Sequence, residues 1–142
     1  WYGGYIYATE IARGLDVFSL EASDYLSESE IAAASLQDAN VTVNAQTQER
    51  VTWPAVPVVA RAYIDQLQRD EDFDTLQLQP LRRLLDKAES LLDDLSSDSG
   101  VANELDGFAN SMQDQSSSNI GIQRDRYTSL ASTLRGIAEK LR

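Results

Sequence analysis

The sequence contains no cysteine and no histidine, and these two absences exclude several kinds of chemistry. Without cysteine there can be no disulfide, no thiolate zinc site and no cysteine nucleophile. Without histidine there can be no Ser-His-Asp triad, no imidazole metal site and no ordinary proton shuttle near neutral pH. The chain is therefore expected not to be an enzyme, with no catalytic residues, no cofactor and no bound metal.

Positive charge and long apolar runs are also scarce. The 142 residues include 12 Lys and Arg against 23 Asp and Glu, which gives a net charge of −11. Such a chain repels phosphate backbones and anionic membrane surfaces, so nucleic-acid binding is not expected. No apolar run approaches the roughly 20 residues that a membrane helix needs, so membrane insertion is not expected either.

The first twenty residues have the pattern of a β-hairpin. Residues 5–9 and 15–20 are short and rich in aromatic and apolar residues, and Gly14 between them suits a positive φ. The opening residues are already strand-like and Trp1 is not methionine, so we expect the chain to begin within a structure. Because a lone hairpin is marginally stable in water, this one should pack on the helices or on further strands.

From residue 21 onward the apolar period changes from two to 3.6, which predicts helices. Ser27 and Glu30 have the spacing of a capping box, so a first helix is predicted from Glu28 to about Leu36. A connector of irregular or partly extended structure should follow over residues 38–53. Further apolar stripes predict helices over about residues 57–69, 80–95, 101–112 and 127–141.

The predicted fold class is mainly α, with an N-terminal β-hairpin followed by an up-and-down helical bundle. The predicted parts are the hairpin at residues 1–20, a capping helix and connector at 21–54, and the bundle at 55–142. Short connections between the apolar stripes favour antiparallel packing of about four helices. The expected buried core includes Leu84, Leu85, Ala88, Leu91, Leu92, Leu134 and Ile137.

Three segments, in order, resemble LVIVD-repeat proteins, which are bacterial and archaeal proteins built from propeller-blade repeats. Tyr5–Leu20 has a strand, a glycine-containing turn and a strand of the form Gly-Leu-x-Val-x-x-Leu. Residues 26–34, and then 53–54 with 59–67, resemble the helical tail after the last blade. The resemblance implies that the hairpin ends a blade of a secreted or cell-surface propeller-like protein. It carries no catalytic residue over to this chain.

One acidic segment has part of a calcium-loop pattern. Asp70, Asp72 and Asp74 have the alternate spacing with which such a loop begins. However, Thr75 occupies the glycine position and Leu81 the place of the bidentate acid. A loop that connects two helices is the favoured interpretation.

Two features are candidate contact sites at the surface. Asn40 begins an Asn-Val-Thr glycosylation sequon in a connector that is expected to be exposed. An aromatic cluster of the hairpin is a candidate interaction surface, although aromatic residues in strands more often fill a core than form a carbohydrate or peptide platform. The surface residues are Trp1, Tyr2, Tyr5, Tyr7 and Phe18.

The sequence favours a non-catalytic structural or interaction module, the C-terminal cap of a propeller-like protein. One alternative is an accessory tail that closes the channel of an enzymatic propeller. Another is a subunit that assembles into an oligomer or filament through exposed hairpin edges. The expected partner is accordingly either the missing propeller strands or another copy of the chain.

Overall fold

A computed structural model describes residues 5–36, 52–69 and 78–142, and in these ranges the chain forms two strands and five helices. The strands are β1 (Tyr5–Glu10) and β2 (Gly14–Ser19); the helices are α1 (Glu28–Ser35), α2 (Pro57–Gln68), α3 (Leu78–Asp93), α4 (Ser99–Ser118) and α5 (Gly121–Lys140). The predicted fold class, mainly helical with an N-terminal hairpin, is confirmed. No helix in these ranges is long and apolar enough to cross a membrane. The chain divides into two units, residues 1–53 and 54–142.

The strands β1 and β2 form an antiparallel hairpin whose turn has its own hydrogen bond. The backbone N–H of Arg13 donates to Oε2 of Glu10 at 2.8 Å. Gly14 follows with φ 96°, a left-handed conformation that glycine adopts without a steric penalty. At the turn, β1 ends one residue later and β2 begins one residue earlier than predicted, because residues 10 and 14 already pair. At its other end β2 stops at Ser19, one residue earlier than predicted.

The capping box predicted for α1 is present. The backbone N–H of Glu30 donates to Oγ of Ser27 at 3.2 Å, and the backbone N–H of Ser27 donates to Oε2 of Glu30 at 2.8 Å. Two N–H groups at the start of the helix thereby find acceptors. The helix begins at Glu28, as the motif predicts.

Helices α2 and α3 pack antiparallel, and charged side chains that join them show the direction. Arg61 of α2 binds Asp86 and Glu89 of α3. Asp65, one turn later in α2, binds Arg82, which lies one turn earlier in α3. The two helices therefore run in opposite directions.

Helices α4 and α5 are antiparallel by the same argument, and they form the most extensive helix pair of the bundle. The side chain of Asn110 accepts a hydrogen bond from Arg135 at 3.2 Å. Asp106, which comes earlier in α4, binds Arg142, which comes after the end of α5. The connection between these two helices is only residues 119 and 120, which is enough for such a reversal.

The end of α5 lies against the residues just before α2 and against the cap of α4. The ammonium Nζ of Lys140 donates to the backbone carbonyl of Ala55 at 2.7 Å, and the backbone N–H of Asp98 donates to the carbonyl of Leu141 at 2.9 Å. A Cβ atom added at Gly136 would lie 2.5 Å from the Cβ of Ala55. The first and last helices of the unit thus meet closely, and only glycine fits at residue 136.

Helix α4 begins at a cap, Asp98, which lies between the helices predicted over residues 80–95 and 101–112. Oδ1 of Asp98 accepts from the backbone N–H groups of Gly100 and Val101 at 2.9 and 3.0 Å, and Oδ2 accepts from Nζ of Lys87 at 3.0 Å. The hydrogen bond from Val101 and then that from Lys87 hold the pKa of Asp98 below its ordinary value. Asp98 therefore starts α4 and also ties it to α3.

The bundle has a single apolar core. Its largest fully buried side chains are Val59, Ile64, Leu67, Leu78, Leu81, Leu85, Val101, Leu105, Leu130, Leu134, Ile137 and Leu141. Most of the predicted core is buried, but Leu91 and Leu92 are only partly buried at its margin. They are less buried than predicted because they lie in the last turn of α3, at the margin of the core that the described residues form.

Several helix bounds differ from the prediction. Helix α3 begins two residues before Pro80. The proline is tolerated there because it lies in the first turn, where a backbone N–H has no acceptor within the helix. Helix α4 continues six residues beyond its predicted end at residue 112, to Ser118. In this last part Ser116 is buried, and its Oγ donates to the carbonyl of Gln113 at 2.7 Å. Helix α5 begins at Gly121, in a polar turn that carries no apolar stripe.

Helix α3 ends in a left-handed cap that uses a leucine. The backbone N–H of Ser96 donates to the carbonyl of Leu91 at 2.8 Å, and that of Leu95 donates to the carbonyl of Leu92 at 3.2 Å. Leu95 has φ 52°, and 95% of it is exposed. Glycine is usual at this position because the left-handed conformation costs other residues about 1–2 kcal/mol.

Leu95→Gly should therefore raise the free energy of unfolding by about 0.5–1 kcal/mol. The substitution relieves the left-handed strain and removes no buried surface, although the greater freedom of glycine in the unfolded chain offsets part of the gain. Urea unfolding followed by circular dichroism measures the change. Leu95→Ala retains the strain and should stay within about 0.5 kcal/mol of the parent. A clear loss of stability in Leu95→Gly would mean that the leucine makes a stabilising contact.

Candidate interaction surface

The hairpin exposes apolar side chains on both of its faces. Directly paired residues of an antiparallel ladder project to the same face, and the face alternates along each strand. Tyr7 therefore shares one face with Val17, its partner across the hairpin, and Ile6 shares the other face with Phe18. The six large apolar residues of the two strands are between 37% and 60% exposed, with Ile6 and Leu15 at the limits.

The outer edges of the hairpin are also unpaired within the described ranges. There, β1 and β2 pair only with each other and form a two-stranded sheet. An unpaired strand edge offers a row of N–H and C=O groups to any further strand. The hairpin is thus a surface that could be extended at its edges and covered on both faces.

The predicted interaction residues fall into two groups in the structure. Tyr5, Tyr7 and Phe18 lie on the hairpin and are 48%, 48% and 51% exposed, so they do not fill a core within the described residues. Trp1 and Tyr2 lie outside the described residues. The same holds for the sequon at Asn40 and for the start of the calcium-like pattern at Asp70, Asp72 and Asp74.

The hairpin and α1 carry a strong excess of negative charge. Residues 5–36 contain six carboxylates against one cation, which leaves a net charge of −5. The carboxylates are Glu10, Asp16, Glu21, Asp24, Glu28 and Glu30. The cation, Arg13, lies between two of them, with Nε 3.3 Å from Oε2 of Glu10 and Nη2 3.5 Å from Oδ2 of Asp16.

No group of three or more potential ligands lies close enough to hold a metal ion in residues 5–36, 52–69 and 78–142. A charged cluster in these ranges joins two helices of the bundle. Nη2 of Arg61 lies 2.7 Å from Oδ1 of Asp86 and 2.8 Å from Oε2 of Glu89, and the Arg61 side chain is only 17% exposed. The hydrogen bond to Glu89 raises the pKa of Arg61, although burial opposes this effect.

This Arg61 cluster is a structural contact that sequence reasoning missed. Asp86 and Glu89 lie 25 and 28 residues after Arg61 along the chain, so no local spacing in the sequence pairs them with it. Only the antiparallel alignment of α2 and α3 brings them together. Because the cluster links two helices of the bundle, we interpret it as structural, and the hairpin remains the candidate functional surface.

Comparison of the chain with protein-family models, with curated proteins and with solved structures finds no match. The resemblance of the three segments to LVIVD-repeat proteins therefore stays a prediction that rests on the residues themselves. A function has to be argued from the hairpin and the bundle.

Proposed function

We propose that this chain is a non-catalytic structural and interaction module, the C-terminal cap of a secreted or cell-surface propeller-like protein. In this proposal the hairpin completes the last blade and the helical bundle closes the end of the assembly. The observation that carries the proposal is the exposure of apolar side chains on both faces of the hairpin.

A hairpin whose faces are both apolar suits a position between two other layers. An antiparallel sheet on the outside of a protein usually has one polar face, whereas a sheet that is covered on both sides is apolar on both. A propeller blade is such a sheet, since it is usually four-stranded and packs between neighbouring blades. Ile6 with Phe18 and Tyr7 with Val17 would face two different neighbours, one on each side of the hairpin.

The bundle supports the proposal because it does not depend on the hairpin for its core. With the exception of Ala33, every buried apolar residue of the described ranges belongs to residues 54–142. The bundle therefore has what it needs to fold as a unit, and the hairpin is left available for a partner. A bundle with its own core and a hairpin whose apolar side chains are exposed within the described residues together suit a cap.

Deletion of residues 1–20 should leave the bundle folded and abolish docking. We expect the truncated chain to keep the helical circular dichroism and cooperative urea unfolding of the bundle, with a change in its free energy of unfolding of less than about 0.5 kcal/mol. The core supplies the reason, since all of its large side chains lie outside the deleted part. A truncated chain that no longer unfolds cooperatively would place the hairpin in the helical core.

The docking partner is tested on the natural protein. N-terminal analysis and intact mass should show residues that precede Trp1, and that preceding segment, expressed separately, should bind the full chain but not the chain without residues 1–20. The control is a chain with Glu104→Gln and Asp114→Asn, two exposed positions of α4, which should bind like the parent. A natural protein that begins at Trp1 would overturn the proposal.

A further inference from the structure

The charges around the hairpin restrict what can cover it. Glu10 is the last residue of β1 and Asp16 lies within β2, and Glu21 and Asp24 come two and five residues after the end of β2. An apolar surface with such a rim attracts a partner whose own rim is positive and repels one whose rim is negative. The partner of the hairpin can therefore be described by its charge as well as by its shape.

The hairpin cannot supply the missing positive charge itself. Arg13, the only cation of residues 5–36, is already held between Glu10 and Asp16. Residues 5–36 therefore hold no second cation for the remaining carboxylates, among them Glu21 and Asp24. A partner that carries Lys or Arg can supply it. Ion pairs between these carboxylates and the cations of a partner favour the correct partner and speed up its association.

A second copy of the chain has the wrong charge for this role. Each copy has a net charge of −11, and residues 5–36 alone have −5. Two hairpins that met face to face or edge to edge would bring these like charges together, which is unfavourable. Screening by salt would reduce the repulsion, so self-association would strengthen as salt rises.

We infer that the hairpin docks onto a cationic β-strand surface, in which apolar residues alternate with Lys or Arg, and not onto a second copy of the chain. This inference rests on the proposed function, because it specifies the chemistry of the partner that the cap would cover. Both faces of the hairpin supply the apolar contact, and its edges, which are unpaired within residues 5–36, 52–69 and 78–142, supply the main-chain hydrogen bonds. The carboxylates around it select the charge.

Three synthetic strand peptides test the inference on the full chain. One alternates valine with lysine, the second alternates valine with glutamate, and the third alternates serine with lysine. Fluorescence anisotropy should show that the valine-lysine peptide binds about tenfold or more tightly than either of the others at low salt. The advantage over valine-glutamate should shrink between about 0.02 M and about 0.5 M salt, as the Debye length falls from roughly 20 Å to roughly 4 Å.

Matched variants locate the charge effect. Glu21→Gln with Asp24→Asn should weaken binding of the valine-lysine peptide several-fold, whereas Glu104→Gln with Asp114→Asn removes the same two charges from the bundle and should change it little. Equal effects of the two pairs would mean that the net charge of the chain attracts the peptide, and would overturn the inference.

Two further outcomes would also overturn it. If the valine-glutamate peptide binds as tightly as the valine-lysine peptide and both need residues 1–20, the hairpin docks without selecting charge, and the proposed cap function stands. If sedimentation velocity shows a dimer that strengthens with salt and is lost on deletion of residues 1–20, the occupant is a second copy. A failure of all three peptides to bind would exclude the cationic strand as the partner chemistry.

Discussion

Replacement of Leu85 by alanine should lower the free energy of unfolding of the bundle by about 2–5 kcal/mol. Leu85 is fully buried at the centre of α3, within the single core formed by the four long helices. The loss combines the transfer of the deleted atoms with the cavity that they leave, because neighbouring helices can collapse into the gap only in part. Chemical unfolding in urea, followed by circular dichroism at several denaturant concentrations, measures the change.

Leu91 is the matched control for Leu85, because it is also a leucine of α3 but is only partly buried. Leu91→Ala should cost clearly less than Leu85→Ala, because solvent already reaches the side chain and no closed cavity forms. Equal losses at the two positions would show that the last turn of α3 is covered. A loss below about 0.5 kcal/mol at Leu85 would contradict the core itself.

Gly136→Ala and Gly107→Ala should change stability in opposite directions. Both glycines lie within long helices, α5 and α4, and helix propensity alone predicts a gain of about 0.5–1 kcal/mol from each replacement. At Gly107 a new Cβ meets nothing within 4 Å, so the gain should be realised. At Gly136 the new Cβ would lie 2.5 Å from the Cβ of Ala55 and must push α2 and α5 apart.

We expect Gly136→Ala to lower the free energy of unfolding by about 1–3 kcal/mol in spite of its better helix propensity. The atom that it meets belongs to a short side chain fixed to the backbone, so no rotamer change can relieve the contact. A rescue variant sharpens the test: Ala55→Gly removes the obstructing atom and should restore much of the stability lost in Gly136→Ala. If Gly136→Ala stabilised the protein as Gly107→Ala does, the close approach of α2 and α5 would be disproved.

Local signals in the sequence were sufficient for most of the elements. The capping box of Ser27 and Glu30 fixed the start of α1, and Gly14 marked the turn of the hairpin. Each depends on residues within three or four positions of one another, which a linear sequence displays directly. The apolar stripes likewise predicted α2, α3, α4 and α5, because helical periodicity is a local property.

Features that depend on neighbours in space were not predictable in the same way. The stripe through Leu91 and Leu92 continues in the sequence, but the bundle ends there, and only the length of the packed helices decides where burial stops. The close approach at Gly136 and the ion pairs of Arg61 depend on segments that lie far away along the chain. For the candidate surface, the sequence identified Tyr5, Tyr7 and Phe18 but not that apolar groups occupy both faces of the hairpin.

The hydrogen bond from Lys140 to the carbonyl of Ala55 has a consequence for how the bundle is connected to its surroundings. It places the entrance of the polypeptide into the helical unit and its exit side by side, at one pole. The opposite pole, with the turn at residues 119 and 120, is free of both ends. Such a unit can be spliced into an exposed loop of a host domain, or permuted by joining its ends and opening that turn, with little change to the helices.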